Sequence, residues 1–221
     1  MQNVIKLVVL LLLVGLNIEA KENRLTTSVS LVGMSMDYRE YDSSGKILDS
    51  EKSSFTEMIG VDLGMKYLMY ETLSSYTNFE ANIVSIGGKT DYAGSILGSG
   101  NPYGSYVSRT TNNIIDFDFR IKKYHRLSNT FRMNYGFGLG YHYWERKLLA
   151  SFVELYEWYS LRASLGIDYK LSKQLKIGFE SEYQYGFNET MQVSNPALDF
   201  DLGGADILKL SIPFVYTYSN N

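Results

Sequence analysis

The chain has 221 residues and a formal net charge of -3, and it combines 19 tyrosines and 19 glycines with three prolines and no cysteine. The acidic balance gives no reason to expect nucleic acid as a partner, and the lack of cysteine excludes a disulfide framework and a thiolate metal site. The tyrosine and glycine content favours extended strands over helices, and the length favours one domain.

The first segment differs from the rest of the chain. A single positive charge at Lys6 precedes an apolar run over residues 7–16, and the small residue Ala20 precedes Lys21. This order is typical of a secretory signal peptide. The run is shorter than the roughly 20 apolar residues of a membrane-spanning helix. We therefore expect residues 1–20 to be a cleaved signal peptide and residues 21–221 to form the folded domain.

After the signal peptide, apolar residues alternate with polar or small ones, which predicts β-strands. In residues 25–41 the alternation is clear from Val32 onward and blurred over residues 25–32, which indicates a bulge. A second strand covers residues 58–67, and a third begins at Tyr76 and loses its phase over residues 84–91. Five further strands follow at residues 115–122, 131–142, 159–170, 175–185 and 208–218.

The connections between these eight strands alternate in length. In a transmembrane barrel the short turns face the periplasm and the long loops face the outside of the cell. Most strands exceed the usual five to six residues and match the roughly 9–11 residues that a tilted strand needs to cross a bilayer. The short connections cover residues 68–75, 124–130 and 171–174, and the long ones cover residues 41–54, 91–112, 145–157 and 187–205. Within the first long one, the Asp-Ser-Ser-Gly run ending at Gly45 predicts a turn that joins strands one and two as a hairpin beyond the membrane.

Each strand has one broad apolar face and one face of charged residues or glycine. This pattern is typical of a barrel that turns its apolar face to lipid, and rings of tyrosine at both interfaces are a signature of such barrels. A soluble, lipocalin-like barrel is the structural alternative, with the apolar residues inside. The predicted aromatic girdle consists of Tyr67, Tyr159, Tyr169, Tyr183, Tyr216 and Tyr218.

In this architecture, residues 25–218 resemble the small eight-stranded outer-membrane barrels of the OmpX, NspA and OmpA membrane-domain type. The resemblance implies an all-β, eight-stranded, antiparallel up-and-down transmembrane β-barrel, exported through the periplasm to the outer membrane of a Gram-negative bacterium. It also implies outer-membrane lipids, lipopolysaccharide and the assembly machinery as partners, with an extracellular ligand as a further candidate. Residues 208–218 resemble the family's C-terminal assembly signal, except that Ser219, Asn220 and Asn221 follow the last aromatic.

The inward face of the predicted barrel carries charges of both signs. An eight-stranded barrel is just wide enough for side chains to fill it, and buried charges must be paired. We therefore expect an ion-pair network that plugs the lumen, including a contact between Arg162 and Glu182; a narrow charged pore is the alternative. The predicted network consists of Asp62, Glu80, Asp116, Asp118, Arg120, Arg162, Glu180, Glu182 and Lys209.

Two histidines bear on catalysis, and His125 is interpreted as a solvated turn residue. If the loop after the fifth strand centres on Ser151, His142 faces Ser160, and Glu182 or Asp116 could supply a carboxylate. This weak candidate site would suit a lipid A-modifying enzyme. The lipid A deacylases, however, have histidine and serine two residues apart on one strand, and Trp144 occupies that position here. We expect a rim histidine, and neither a cofactor nor a metal ion.

The sequence therefore favours a structural or surface-interaction role through the outer loops. A small, porin-like solute pore is the second hypothesis, and a lipid A-modifying enzyme is the third. The alternating glycines at 136, 138 and 140 are predicted to face the lumen and to leave space there for charged side chains from neighbouring strands.

Overall fold

The computed structural model describes residues 24–41, 44–95, 101–149, 152–172, 174–194 and 197–216. The predicted signal peptide lies outside these ranges. Within them the fold is all-β, and no helix is long and apolar enough to span a membrane.

In the described ranges, twelve strands form one antiparallel sheet. Neighbouring strands follow one another from β4 to β9 as an up-and-down meander, and β1 pairs with the free side of β4. The strands are β1 (Leu25–Met34), β2 (Asp37–Tyr41), β3 (Ile47–Lys52), β4 (Met58–Glu71), β5 (Ser75–Gly94), β6 (Tyr106–Arg126), β7 (Phe131–Leu149), β8 (Phe152–Lys170), β9 (Leu175–Ser194), β10 (Ala197–Asp201), β11 (Asp206–Ser211) and β12 (Phe214–Tyr216).

The described part of the chain thus has twelve strands where the sequence predicts eight. The first predicted strand is interrupted at Ser35 and Met36, and the last is interrupted at Pro213, which has no backbone N–H to donate to a ladder. In addition, β3 and β10 form inside segments predicted as loops. β2 and β3 pair as a hairpin, and Gly45 between them has a φ of 83°.

The long strands also continue further than the sequence predicts. β5 ends at Gly94 and β6 begins at Tyr106, well inside the predicted loop 91–112. In β9, Asn188 has a φ of 58°, and the β8–β9 register shifts between Glu157 and Tyr159. This bulge reverses which side of β9 faces the interior. Before it the buried residues have even numbers, as at Glu182 and Gln184, whereas beyond it the buried residue is the odd-numbered Val193.

The sheet is curled strongly enough for distant strands to meet through their side chains. Arg120 on β6 lies 2.5 Å from Glu182 on β9, although β7 and β8 lie between these strands. Tyr38 on β2 contacts Trp144 on β7, with ring centroids 5.3 Å apart. Among the described residues no ladder joins β1 to β10, β11 or β12, so hydrogen bonds do not close the curl there.

The two faces of the sheet have the polarity opposite to that of a soluble protein. Apolar side chains on the convex face are exposed, including Leu31 at 90%, Phe137 at 67% and Leu210 at 64%. Charged side chains on the concave face are buried, and both Arg162 and Glu182 are only 4% exposed. The interior of the curl is therefore polar over much of its length.

Candidate functional site in the polar interior

Two arginines organise the centre of the interior. Arg120 lies 2.7 Å from Asp118 and 2.5 Å from Glu182. Arg162 lies 3.6 Å from Asp118 and 3.7 Å from Glu182, so the contact between Arg162 and Glu182 expected from the sequence is present. The two guanidinium groups share the same two carboxylates, which compensates four charges that are nearly excluded from water.

A second set of contacts lies closer to the short turns. Glu80 accepts a hydrogen bond of 2.8 Å from the Tyr124 hydroxyl and lies 3.7 Å from the Lys66 ammonium group. Lys122 forms an ion pair with Glu180. These contacts connect β4, β5, β6 and β9 across the interior, so they hold the curl together from inside.

Two members of the predicted network are not paired within the described residues. Lys209 is exposed and has no carboxylate within ion-pair distance. Asp62 also lacks an ion pair, and one of its carboxylate oxygens is buried without a hydrogen-bond partner. Both residues lie near the edges of the sheet, on β11 and β4, and each would gain neighbours if the two edges met.

The glycines of β7 provide the space for the arginines. A Cβ added at Gly140 would overlap the Arg162 guanidinium, and one at Gly138 would overlap the Arg120 side chain and the Phe119 carbonyl oxygen. These two glycines therefore leave space for charged side chains of the neighbouring strands, as the sequence predicts.

The weak catalytic candidates are not brought together. His142 pairs with Trp158 in the β7–β8 ladder, whereas Ser160 pairs with Gly140. The expectation that His142 faces Ser160 is therefore wrong by two residues, because the β7–β8 ladder contains a bulge between Lys147 and Leu149 and is not centred on Ser151.

In the structure His142 contacts Asp116 and Trp158. Its Nδ1 lies 2.7 Å from a carboxylate oxygen of Asp116, and its ring stacks on Trp158 with centroids 3.7 Å apart. Ser160 accepts a hydrogen bond of 3.1 Å from Arg162. Ser160 is therefore bonded to Arg162 and not placed at the His142 ring. His125 stacks against Tyr135 with a centroid separation of 5.8 Å.

An apolar layer covers the outer side of the central ion pairs. It consists of the buried residues Met58, Ile114, Trp144 and Tyr156. Partly buried side chains from both edges of the sheet pack against it, among them Met36 on the β1 side and Met191 on β9. The layer contains no charge, so a hydrated ion would lose its water shell there without compensation.

Beyond the apolar layer lies a second buried ion cluster that the sequence did not reveal. The Arg146 side chain is fully buried and lies 2.5 Å from Glu51, 2.7 Å from Glu154 and 3.2 Å from Asp49. Its guanidinium also lies over the rings of three aromatic residues at 5.3–5.9 Å. We call this group the outer cluster: Tyr38, Glu40, Asp49, Glu51, Tyr92, Arg146, Glu154 and Tyr156.

The outer cluster could have been found from the sequence with the correct β7–β8 register. In the structure Arg146 is directly opposite Glu154, and both positions continue the inward-facing series of their strands. The error of two residues that placed His142 opposite Ser160 also concealed this pair.

The electrostatics of the outer cluster reflect a surplus of carboxylates. Burial raises the pKa of Glu154 and of Glu40 above the ordinary value, and Arg146 offsets this only in part. Burial disfavours the charged form of Arg146, but Glu154, Glu51 and Asp49 raise its pKa beyond the usual range. Arg146 therefore stays charged, while the surrounding carboxyl groups compete for one cation.

The predicted girdle tyrosines lie on the convex face where their side chains are described. Tyr159, Tyr169 and Tyr183 are 46–49% exposed, and Tyr67 is half-buried. The side chain of Tyr216 and the whole of Tyr218 lie outside the described residues. Tyr141 donates a hydrogen bond to Glu157 on the same face.

No group of three or more His, Asp or Glu side chains in the described part of the chain is placed to hold a metal ion. No protein-family model and no curated protein matches the chain. A solved structure that is similar is the crystal structure of the outer membrane protease OmpT from Escherichia coli, with a TM-score of 0.41 and 10% sequence identity over 90% of this chain and 98% of that chain. A similarity of this size carries no argument about activity.

Proposed function

We propose that the chain is an integral β-barrel protein of the bacterial outer membrane. The observation that carries this proposal is the inverted polarity of the sheet, with apolar side chains exposed on the convex face and ion pairs buried on the concave face. In water the exposed apolar surface would be unfavourable by roughly 25 cal/mol per Å². Against lipid hydrocarbon the same surface is stable, and the buried charges remain paired inside.

The proposal includes closure of the curl into eight membrane passages, with β1 and the segment β11–β12 as neighbours. Among the described residues, β1 pairs only with β4 and β11 only with β9, so each edge has a free side available to the other. An open edge in hydrocarbon would leave backbone groups without partners at several kcal/mol each. Closure therefore follows from the membrane environment that the convex face requires.

The height of the membrane belt is indicated by the aromatic residues of β7. On the convex face, Tyr135 and Tyr143 flank the exposed residues Phe137 and Leu139. Their separation matches the roughly 9–11 residues of a tilted transmembrane strand. Because β7 continues to Leu149, the outer ends of the strands extend beyond the belt.

We infer a structural or surface-interaction role for this extension. The outer cluster ties β2, β3, β7 and β8 together there, so the extension is a rigid platform. Exposed apolar side chains on it, including Phe55 at 63% and Val107 at 71%, are available to a ligand. The apolar layer argues against a solute pore. The separation of Ser160, which pairs with Gly140 and bonds to Arg162, from His142 argues against the hydrolase considered from the sequence.

Refolding the mature chain from urea into phosphatidylcholine vesicles tests the proposal. A folded barrel is expected to migrate faster in an unheated sample than in a heated one on a denaturing gel, and to give no stepwise conductance in planar bilayers. A chain that folds in buffer without detergent or lipid would contradict the membrane assignment. Regular conductance steps would contradict the plugged lumen and favour the pore.

A further inference from the structure

The end of the interior nearest the short turns contains a basic cavity. It has a volume of about 500 Å³ and opens between the β4–β5, β6–β7 and β8–β9 turns. We call it the turn-end mouth, defined by Arg126, Ser128, Arg132, Asp168, Lys170 and Lys176. Lys170 and Lys176 belong to the inward-facing series of β8 and β9, so their ammonium groups belong to the interior and not to the lipid-facing surface.

The charges of the turn-end mouth do not cancel. Arg126 lies 2.5 Å from Glu71. Arg132 lies 3.1 Å from Asp168 and donates a hydrogen bond of 2.7 Å to the Tyr76 hydroxyl. Both arginines thus have a carboxylate partner. No carboxylate among the described residues lies within ion-pair distance of Lys170 or Lys176, so two positive charges remain.

These two lysines are directly opposite each other. Lys170 and Lys176 are partners in the β8–β9 ladder, and like charges in such a pair are destabilising. Lys176 is also half-buried, and burial together with the nearby Arg132 lowers its pKa below the ordinary value. A chain that folds with this pair at an open cavity gains stability from any anion that enters it.

We propose that the turn-end mouth is a binding site for a phosphate group. A phosphate monoester carries a charge of about -1.5 to -2 at neutral pH, which matches the two unpaired lysines, whereas a single carboxylate would neutralise only one. Lysine is a common phosphate ligand because it acts as a mobile point charge. Ser128 and Thr130 also line the cavity. Their hydroxyls lie 3.2 Å apart and share one hydrogen bond, so one of the two is left to donate to a further phosphate oxygen.

The phosphate could belong to a soluble ester or to a lipid headgroup at the rim. The inward direction of both lysines favours a group that enters from the aqueous side of the mouth. Both sources present the same phosphate group to the lysines, and a titration in two lipid environments distinguishes them.

The test is a calorimetric titration of inorganic phosphate into the refolded full-length mature protein in a detergent without phosphate. Wild type is expected to bind saturably in the millimolar range or tighter. Lys170→Gln/Lys176→Gln is expected to weaken binding by about tenfold for each lysine. Lys89→Gln/Lys123→Gln removes the same number of charges outside the mouth and is expected to leave binding unchanged. Heat-modifiable gel mobility verifies that all three proteins are folded.

Two further titrations, in nanodiscs of different lipid composition, identify the source of the phosphate group. Binding of inorganic phosphate that persists in phosphatidylcholine nanodiscs and depends on Lys170 and Lys176 supports a site filled from water. Loss of that binding in nanodiscs containing phosphatidic acid supports occupation of the same site by a headgroup. Equal binding by wild type and the double-lysine variant, or no saturable binding by the folded wild type, overturns the proposal.

Discussion

The two ends of the interior contain charges in opposite arrangements. In the outer cluster one fully buried cation, Arg146, is surrounded by Asp49, Glu51 and Glu154. At the turn-end mouth four cations face two carboxylates around an open cavity. The first arrangement excludes water and has a surplus of negative charge, whereas the second admits water and has a surplus of positive charge.

The difference shows how burial determines what a charged group can do. A charge without water must find its partners within the protein, so the outer cluster acts as an internal brace. Charges at a hydrated opening can remain uncompensated at modest energetic expense, and they stay available to a ligand. The apolar layer between the two regions keeps the outer cluster dry, so it allows both arrangements to exist in one narrow interior.

The largest effect is expected from Arg146→Met. The substitution preserves much of the side-chain volume but leaves Glu51 and Glu154 buried without a cation, so it should lower the free energy of unfolding by about 3–5 kcal/mol. Urea unfolding of vesicle-inserted protein, followed by tryptophan fluorescence, measures the change. The chain has two tryptophans, and both belong to or pack against the apolar layer.

A matched control for this variant is Arg109→Met. Arg109 lies 2.7 Å from Glu57, but its side chain is 53% exposed, so removal of the pair should change stability by less than about 1 kcal/mol. If Arg146→Met lowered the free energy of unfolding as little as the control does, the outer cluster would not stabilise the fold. The contrast between the two ends would then be lost.

A smaller effect of opposite sign is expected at the turn-end mouth. Lys176→Glu converts the repulsive pair with Lys170 into an attractive cross-strand pair, so stability should rise by about 1 kcal/mol. The same urea titration measures it. Lys123→Glu is the control, because Thr77 and Tyr135 are its uncharged cross-strand neighbours. A loss of stability in Lys176→Glu would show that the surplus positive charge is already compensated.

The period of two along the chain is sufficient to predict the all-β meander and the inward-facing series. Alternation assigns Arg120, Arg162 and Glu182 to one face, and the short turn near Ser172 fixes the register that brings Arg162 to Glu182. Short turns transmit register reliably because they leave few ways to align the flanking strands.

The outer half could not be predicted in the same way. Its register depends on the β7–β8 turn and on bulges such as the one at Asn188, and a shift of two residues keeps the same facing pattern. Alternation therefore identifies inward residues there without identifying their partners. Strand interruptions are also invisible to the pattern, since the apolar period continues through Pro213 although β11 ends at Ser211 and β12 begins at Phe214.

The smallest expected effect is a pH dependence confined to the outer cluster. The pKa of Glu154 in the folded state is raised from its ordinary value of 4.5, mainly by burial. The neutral form is thus favoured by folding, so the stabilisation is complete below about pH 4.5 and is lost as the pH rises through the raised value. The urea midpoint should therefore fall modestly between mildly acidic and neutral pH.

Glu154→Gln separates this contribution from the rest of the protein. Glutamine mimics the neutral carboxyl group, and Arg146 keeps Glu51 and Asp49 as partners, so the variant should fold. Its urea midpoint should change much less with pH than that of the wild type. Glu57→Gln is the control of opposite sign: hydrogen bonds from Ser54 lower the pKa of Glu57, so that carboxylate is stabilising above its ordinary pKa and the stabilisation is lost on acidification. An unchanged slope in Glu154→Gln would mean that Glu154 is fully neutralised by Arg146, and the surplus of negative charge that distinguishes the outer cluster from the turn-end mouth would have to reside on Glu40 or Asp49.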